Sequence, residues 1–128
     1  MSFNVLIVDD SIIIRKMVAK TLSISDLDIG EYYFAANGKQ ALEYLEDQWI
    51  DIVFADINMP VMNGMEMLDE MANRDILSTI PVVIISTERS EPRMKELKEK
   101  GIQAYLQKPF MPERFTEVVT SILTPGKG

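Results

Sequence analysis

Cysteine and histidine are both missing from this chain. The first absence removes disulfides and thiol chemistry, and with them any reading of the redox compartment. The second removes the usual general base, the commonest zinc ligand and any phosphohistidine of the chain's own. No apolar run is long enough to span a membrane. No charged n-region followed by an apolar h-region opens the sequence, so no secretory signal is expected. Basic residues are outnumbered, 13 against 20 acidic ones, for a net charge of -7. A surface of that sign cannot replace the counterions of a nucleic acid, although it leaves protein partners open. A cytoplasmic protein with neither nucleic-acid binding nor membrane insertion is the expectation.

What is present suits one domain. The 128 residues are 47% hydrophobic and 26% charged, enough apolar side chains for a single core. The stretch Val53-Phe54-Ala55-Asp56-Ile57-Asn58-Met59-Pro60 sets the pattern: an apolar run, an abrupt carboxylate, then a proline-marked loop. Such a run reads as a buried strand. Val5 to Val8 likewise runs into Asp9-Asp10, and Val82 to Ile85 into Ser86-Thr87.

Helical spacing fills the intervals. Ile14, Met17, Val18, Thr21 and Leu22 form one core stripe after Ser11, which can cap. Ile12 and Ile13 fall off it, as a partner patch or as scattered surface residues. Tyr32 to Ala36 is a second strand, and Asn37-Gly38 a turn before Ala41, Leu42 and Leu45. The third strand spans Ile50 to Asp56. Leu68, Met71 and Ala72, with Met65, suggest a third helix. Pro81 opens the fourth strand. Ser90, Glu91 and Pro92 start a fourth helix, anchored only by Met94 and Leu97 and stopped at Gly101. Ala104 to Leu106 is a fifth strand. Phe115, Val118, Val119, Ile122 and Leu123 make the last helix, and residues 125–128 a flexible tail.

Five strand-helix repeats imply an α/β, three-layer, doubly wound parallel sheet of flavodoxin-like form, within a domain spanning 1–124. The first, third and fourth strands are uniformly apolar and the other two mixed, which puts the latter at the edges. The order 2-1-3-4-5 satisfies this. It reverses between the first and third strands, beside Asp9, Asp10 and Asp56.

Carboxylates about 4 Å apart repel by roughly 4 kcal/mol at an effective dielectric near 20. A hard divalent cation relieves this, and an oxygen-only donor set suits Mg2+ rather than zinc. Lys108, ending the fifth strand, can pair with one carboxylate and later with a phosphoryl oxygen; the Ser86 hydroxyl can donate to another. These are the parts of a phosphoryl-transfer site, with Asp56 as nucleophile and Asp9 and Asp10 holding metal.

Asp9-Asp10 after V-L-I-V, Asp56 followed by I-N-M-P and N-G, Ser86-Thr87, and Lys108-Pro109-Phe110 together resemble the receiver domain of bacterial response regulators in its stand-alone, CheY-like form. The resemblance implies that Asp56 accepts phosphate from a histidine kinase. It implies Mg2+ held by Asp9, Asp10, Asp56 and the backbone carbonyl of Asn58, with Lys108 and Ser86 on the phosphoryl group. Tyr105 matches a switch position, and Asn58 and Glu88 match positions that tune dephosphorylation. Lys108-Pro109 matches a cis peptide. Ser86 stands where many members carry threonine. A monomer that docks a separate protein on the face of the fourth helix, fifth strand and fifth helix is expected, of chemotaxis type; a phosphorelay shuttle is the alternative. A switch with self-catalysed phosphotransfer and slow autodephosphorylation is expected rather than an enzyme. A Mg2+-dependent aspartyl-phosphate phosphohydrolase would place a second aspartate where Asn58 stands. A flavin carrier would need a hydroxyl-rich loop in place of Asp9-Asp10-Ser11.

Overall fold

A computed structural model describes residues 2–88 and 90–124. Five strands alternate with five helices: β1 (Phe3–Val8), α1 (Ile12–Ser23), β2 (Ile29–Ala35), α2 (Gly38–Asp47), β3 (Ile52–Ala55), α3 (Gly64–Asn73), β4 (Val82–Ser86), α4 (Glu91–Glu99), β5 (Ala104–Gln107) and α5 (Pro112–Leu123). The sheet is parallel throughout, in the order β2-β1-β3-β4-β5. Among the described residues no helix is long and apolar enough to cross a membrane. The expected tail, 125–128, lies outside the described residues.

Period-two alternation divides the core between the sheet's two faces. Leu6, Val8, Val53, Ala55, Val82 and Ile84 face α2, α3 and α4. Val5, Ile7, Ile52, Phe54, Val83 and Ile85 face α1 and α5. β3 and β4 are buried along their whole length, β1 along its last four residues, and the edge strands β2 and β5 only in part. Phe115 fills the second layer, with ring centroids 5.2 Å from both Phe54 and Phe110.

Capping fixes the helix starts. Ser11, Asn37, Asn63 and Ser90 each accept from a backbone N–H one turn on. Asn63 and Glu66 close a reciprocal capping box. Gly101, at φ 99°, supplies the left-handed residue after α4.

Several side chains depart from the periodicity. Met17 is 41% exposed, because α1 buries only Val18, Thr21 and Leu22. On α3, Ala72 is exposed while Met67 is fully buried, so the inner face is centred one position off the expected stripe. Met94 lies at the surface and Leu97 alone buries α4. β2 begins three residues earlier than its aromatics suggest, extended by a register shift opposite Phe3 and Val5. Ile12 and Ile13 are exposed, as expected.

The amino ends of the strands carry a separate polar cluster. Trp49 is 77% exposed there, and its indole N–H donates to Asp51 at 3.0 Å. Asn4 donates to the Trp49 carbonyl and receives the Glu31 amide.

Gly64 is where α3 returns against β3. Its N–H donates to the Ile57 carbonyl at 2.8 Å, and a Cβ would lie 2.4 Å from the Asp56 carbonyl oxygen. Main chain cannot yield there as a side chain can. Gly64→Ala is therefore expected to cost at least about 2 kcal/mol, read as a lower urea midpoint; an unchanged midpoint would refute the packing argument.

Candidate acidic site at the carboxyl ends of the strands

Parallel register brings the site residues to one edge. Val8 of β1 pairs with Ala55 of β3, so Asp9 and Asp56 emerge side by side; the Asp56 amide donates to the Val8 carbonyl at 3.0 Å. Ser86 pairs with Gln107, which puts Lys108 one residue beyond β5; its amide donates to the Ser86 carbonyl at 2.8 Å. The Lys108-Pro109 peptide is cis.

Asp9, Asp10 and Asp56 each offer a carboxylate oxygen within 4.8 Å of the other two. The three differ in their ties. Asp9 is buried, with Oδ1 accepting from the Ser11 amide at 2.9 Å and Oδ2 from Lys108 Nζ at 3.0 Å. Asp56 accepts from the Ile57 amide at 2.7 Å through Oδ1, and from Lys108 through Oδ2 at 3.4 Å. Asp10 is exposed, and its carboxylate has no hydrogen bond or ion pair among the described residues. Lys108 therefore bridges two carboxylates where pairing with one was expected.

Other expected residues lie close by in particular settings. Ser86 is fully buried, and its Oγ accepts the Glu88 amide at 3.3 Å, turned away from solvent. Glu88 directs its carboxylate at the Ser90 amide, 3.0 Å away at the start of α4. Asn58 is exposed on the loop after Asp56. Tyr105 is already half-buried, its ring against the α2–α3–α4 layer and its hydroxyl donating to the Glu88 carbonyl. Burial pushes this phenol above its ordinary value, and the neighbouring Ser86 hydroxyl works the other way. Arg15 escaped the sequence reading. Its Nη1 donates to the Asp9 backbone carbonyl at 2.6 Å, from the first turn and a half of α1. Its place on the helix side next to Ser11 was the available signal.

Against known proteins, the family model of the response regulator receiver domain matches residues 5–120. The chain belongs to the response regulator receiver family. The solved structure of chemotaxis response regulator CheY4 of Vibrio cholerae is 34% identical, with a TM-score of 0.84, covering 95% of this chain and 99% of that one. A chemotaxis protein CheY homologue of Campylobacter jejuni is 28% identical over 127 residues, 98% of this chain and 95% of the relative. The probable transcriptional regulator ycf29 of Pyropia yezoensis is 28% identical over 124 residues, and this chain spans only 54% of its length. The receiver is thus a CheY-like signalling module of two-component systems, a switch rather than an enzyme. Receiver domains typically bind Mg2+ through an acidic pocket, and the three aspartates here are consistent with one.

Two outcomes follow from this geometry. Lys108→Ala leaves two mostly buried carboxylates without their counter-ion, and breaking such a pair costs about 3 kcal/mol. Urea melts without metal should show that loss, and millimolar Mg2+ should stabilise the variant by more than it stabilises the wild type. The raised Tyr105 phenol contributes stability that is complete below the unfolded value near 10 and lost as pH climbs through the folded value. Tyr105→Phe is expected to flatten the alkaline limb of a stability–pH curve; an unaltered limb would count against the burial argument.

Proposed function

We propose that Asp56 is the phosphoacceptor of this receiver, taking a phosphoryl group from a histidine kinase in a Mg2+-dependent reaction. The observation that carries the proposal is the difference in how the carboxylates are held. Asp56 Oδ1 is fixed by the Ile57 amide, while Oδ2 is held only by the longer of the two Lys108 bonds. Asp56 Oδ2 is thus oriented and the more readily released. Asp9 has both oxygens engaged at 3.0 Å or less.

The donor set fits the cation. It offers carboxylate oxygens with neither imidazole nor thiolate nearby, which suits a hard divalent ion. Asp9, Asp10, Asp56 and the Asn58 carbonyl would hold it. When bound, Mg2+ supplies charge neutralisation for the anions brought together. Asp56 Oδ2 attacks phosphorus, an O–P bond forms and the P–N bond of the donor phosphohistidine breaks, its electron pair leaving with the imidazole. Lys108 transfers its ammonium from the carboxylates to a phosphoryl oxygen. The Ser86 hydroxyl donates to another, giving up the Glu88 amide.

That exchange is the start of the switch. Glu88 is tied to Ser86, to Ser90 at the cap of α4 and to Tyr105. Withdrawing Ser86 therefore disturbs α4 and Tyr105 together. Charge-assisted bonds at roughly 1.5–3 kcal/mol each reach the ~5.5 kcal/mol that a near-complete population shift requires. Asn58 and Glu88 tune the lifetime of the phosphorylated state through slow self-hydrolysis. The output is docking of a separate protein on the α4–β5–α5 face. A groove of about 470 Å³ between α4 and β5 supports the α4–β5 part of this placement; its lining includes Glu91, Met94, Lys95, Ile102, Ala104 and Tyr105. The unit acts as a cytoplasmic monomer spanning 1–124. The similarity to the chemotaxis relatives favours a chemotaxis-type regulator over a phosphorelay shuttle.

Incubation with acetyl phosphate and Mg2+ is expected to add one phosphoryl group to Asp56 by intact mass, abolished by EDTA and by Asp56→Asn. Equal modification of the Asp56→Asn variant would defeat the assignment. A pull-down with and without beryllofluoride then identifies the protein bound on the α4–β5–α5 face.

A further inference from the structure

Asp9 has every polar atom engaged. Its amide donates to the Ala35 carbonyl at 3.0 Å, Oδ1 accepts from the Ser11 amide and Oδ2 from Lys108. Its carbonyl accepts from Arg15 Nη1 at 2.6 Å. Arg15 is half-buried and makes no ion pair among the described residues, although the residue it grips is one of the three clustered aspartates. A guanidinium that passes over carboxylates for a main-chain carbonyl is fixing backbone rather than neutralising charge.

That carbonyl belongs to the peptide plane joining Asp9 to Asp10. The plane is rigid, so holding its oxygen fixes where the Asp10 Cα begins. Among the described residues, Asp10 is the one carboxylate of the three whose side chain has no partner to orient it. Its direction depends on the backbone that carries it. We propose that Arg15 is a positioning residue of the cation site: by clamping the Asp9–Asp10 peptide it aims Asp10 into the crevice. This rests on the Mg2+ reading above. Two effects of removing Arg15 have opposite signs. Losing a positive charge near the site should tighten cation binding, whereas losing the clamp should weaken it. Among the described residues no carboxylate oxygen lies within 4.0 Å of the guanidinium, so its charge acts at longer range than its 2.6 Å bond to the Asp9 carbonyl, and the loss of aim dominates.

The test titrates Mg2+ calorimetrically into wild type, Arg15→Gln, Arg15→Lys and Lys16→Gln, and follows amide hydrogen exchange of residues 9–12 without metal. Lys16 is the adjacent, exposed cation, and Lys16→Gln removes one charge without touching the clamp. Arg15→Gln is expected to weaken Mg2+ binding about tenfold and to speed exchange at Asp10 and Ser11. Arg15→Lys, which keeps the charge but not the planar fork, should fall between, and it decides the matter if the Gln variant does not fold. Lys16→Gln should bind as wild type does or slightly more tightly. Arg15 variants that bind Mg2+ at least as tightly as wild type, with unchanged exchange, would overturn the proposal while leaving the cation site intact. Wild type that binds no Mg2+ would instead remove the site itself, and the clamp's role with it.

Discussion

An ammonium 3.0 Å from one carboxylate and 3.4 Å from another is what allows three acidic side chains to share a crevice. Asp9 and Asp56 are largely withdrawn from water, so their repulsion is poorly screened and a counter-ion has to be built in. The rest of the architecture serves that geometry. Parallel pairing aligns the ends of β1, β3 and β5, the β4 end is stitched to Lys108 through the Ser86 carbonyl, and Gly64 lets α3 close behind Asp56. The same arrangement is intrinsically exchangeable. A salt bridge that only balances desolvation holds the site together without locking it, so a stronger cation or an incoming phosphoryl group can replace its partners.

α4 is loosely attached by comparison. α4 contributes Leu97 alone to the core, and its other links are peripheral. Lys100 reaches Asp69 on α3 at 2.6 Å, but the aspartate is more than half exposed, and pairs of that kind contribute about 0–1 kcal/mol. Segments with few buried anchors sit at the low-stability end of a fold, where small local forces change populations. Tyr105 ties this helix's approach loop to β5 through the Glu88 carbonyl. A disturbance at Ser86 therefore has a short covalent and hydrogen-bonded route to the surface.

Sheet order and the acidic cluster were legible in the sequence because both rest on strong local signals. Uniform apolar runs marked β1, β3 and β4 as central, and each ended on a polar residue that the parallel register then placed at one edge. Helix facing was less legible. Met17, Met67 and Met94 are alike in composition, yet Met67 is buried and the other two are surface residues. Unbranched methionine fits either setting, and only the packed neighbours decide. The direction of Ser86 was equally hidden, since its hydroxyl chooses between the crevice and the Glu88 amide through tertiary contacts. Arg15 was missed because its partner is a main-chain atom, and its place beside Ser11 on α1 was the one signal of the contact.

Trp49 stands at the amino ends of the strands, bonded to Asp51 and surrounded by the Asn4 cluster, a full strand length from the aspartates. It is the chain's only indole. Its emission is therefore set by water and by Asp51, not by anything that occupies the crevice. An optical probe of this switch has to be introduced near the acidic edge, because the native chromophore faces the wrong way.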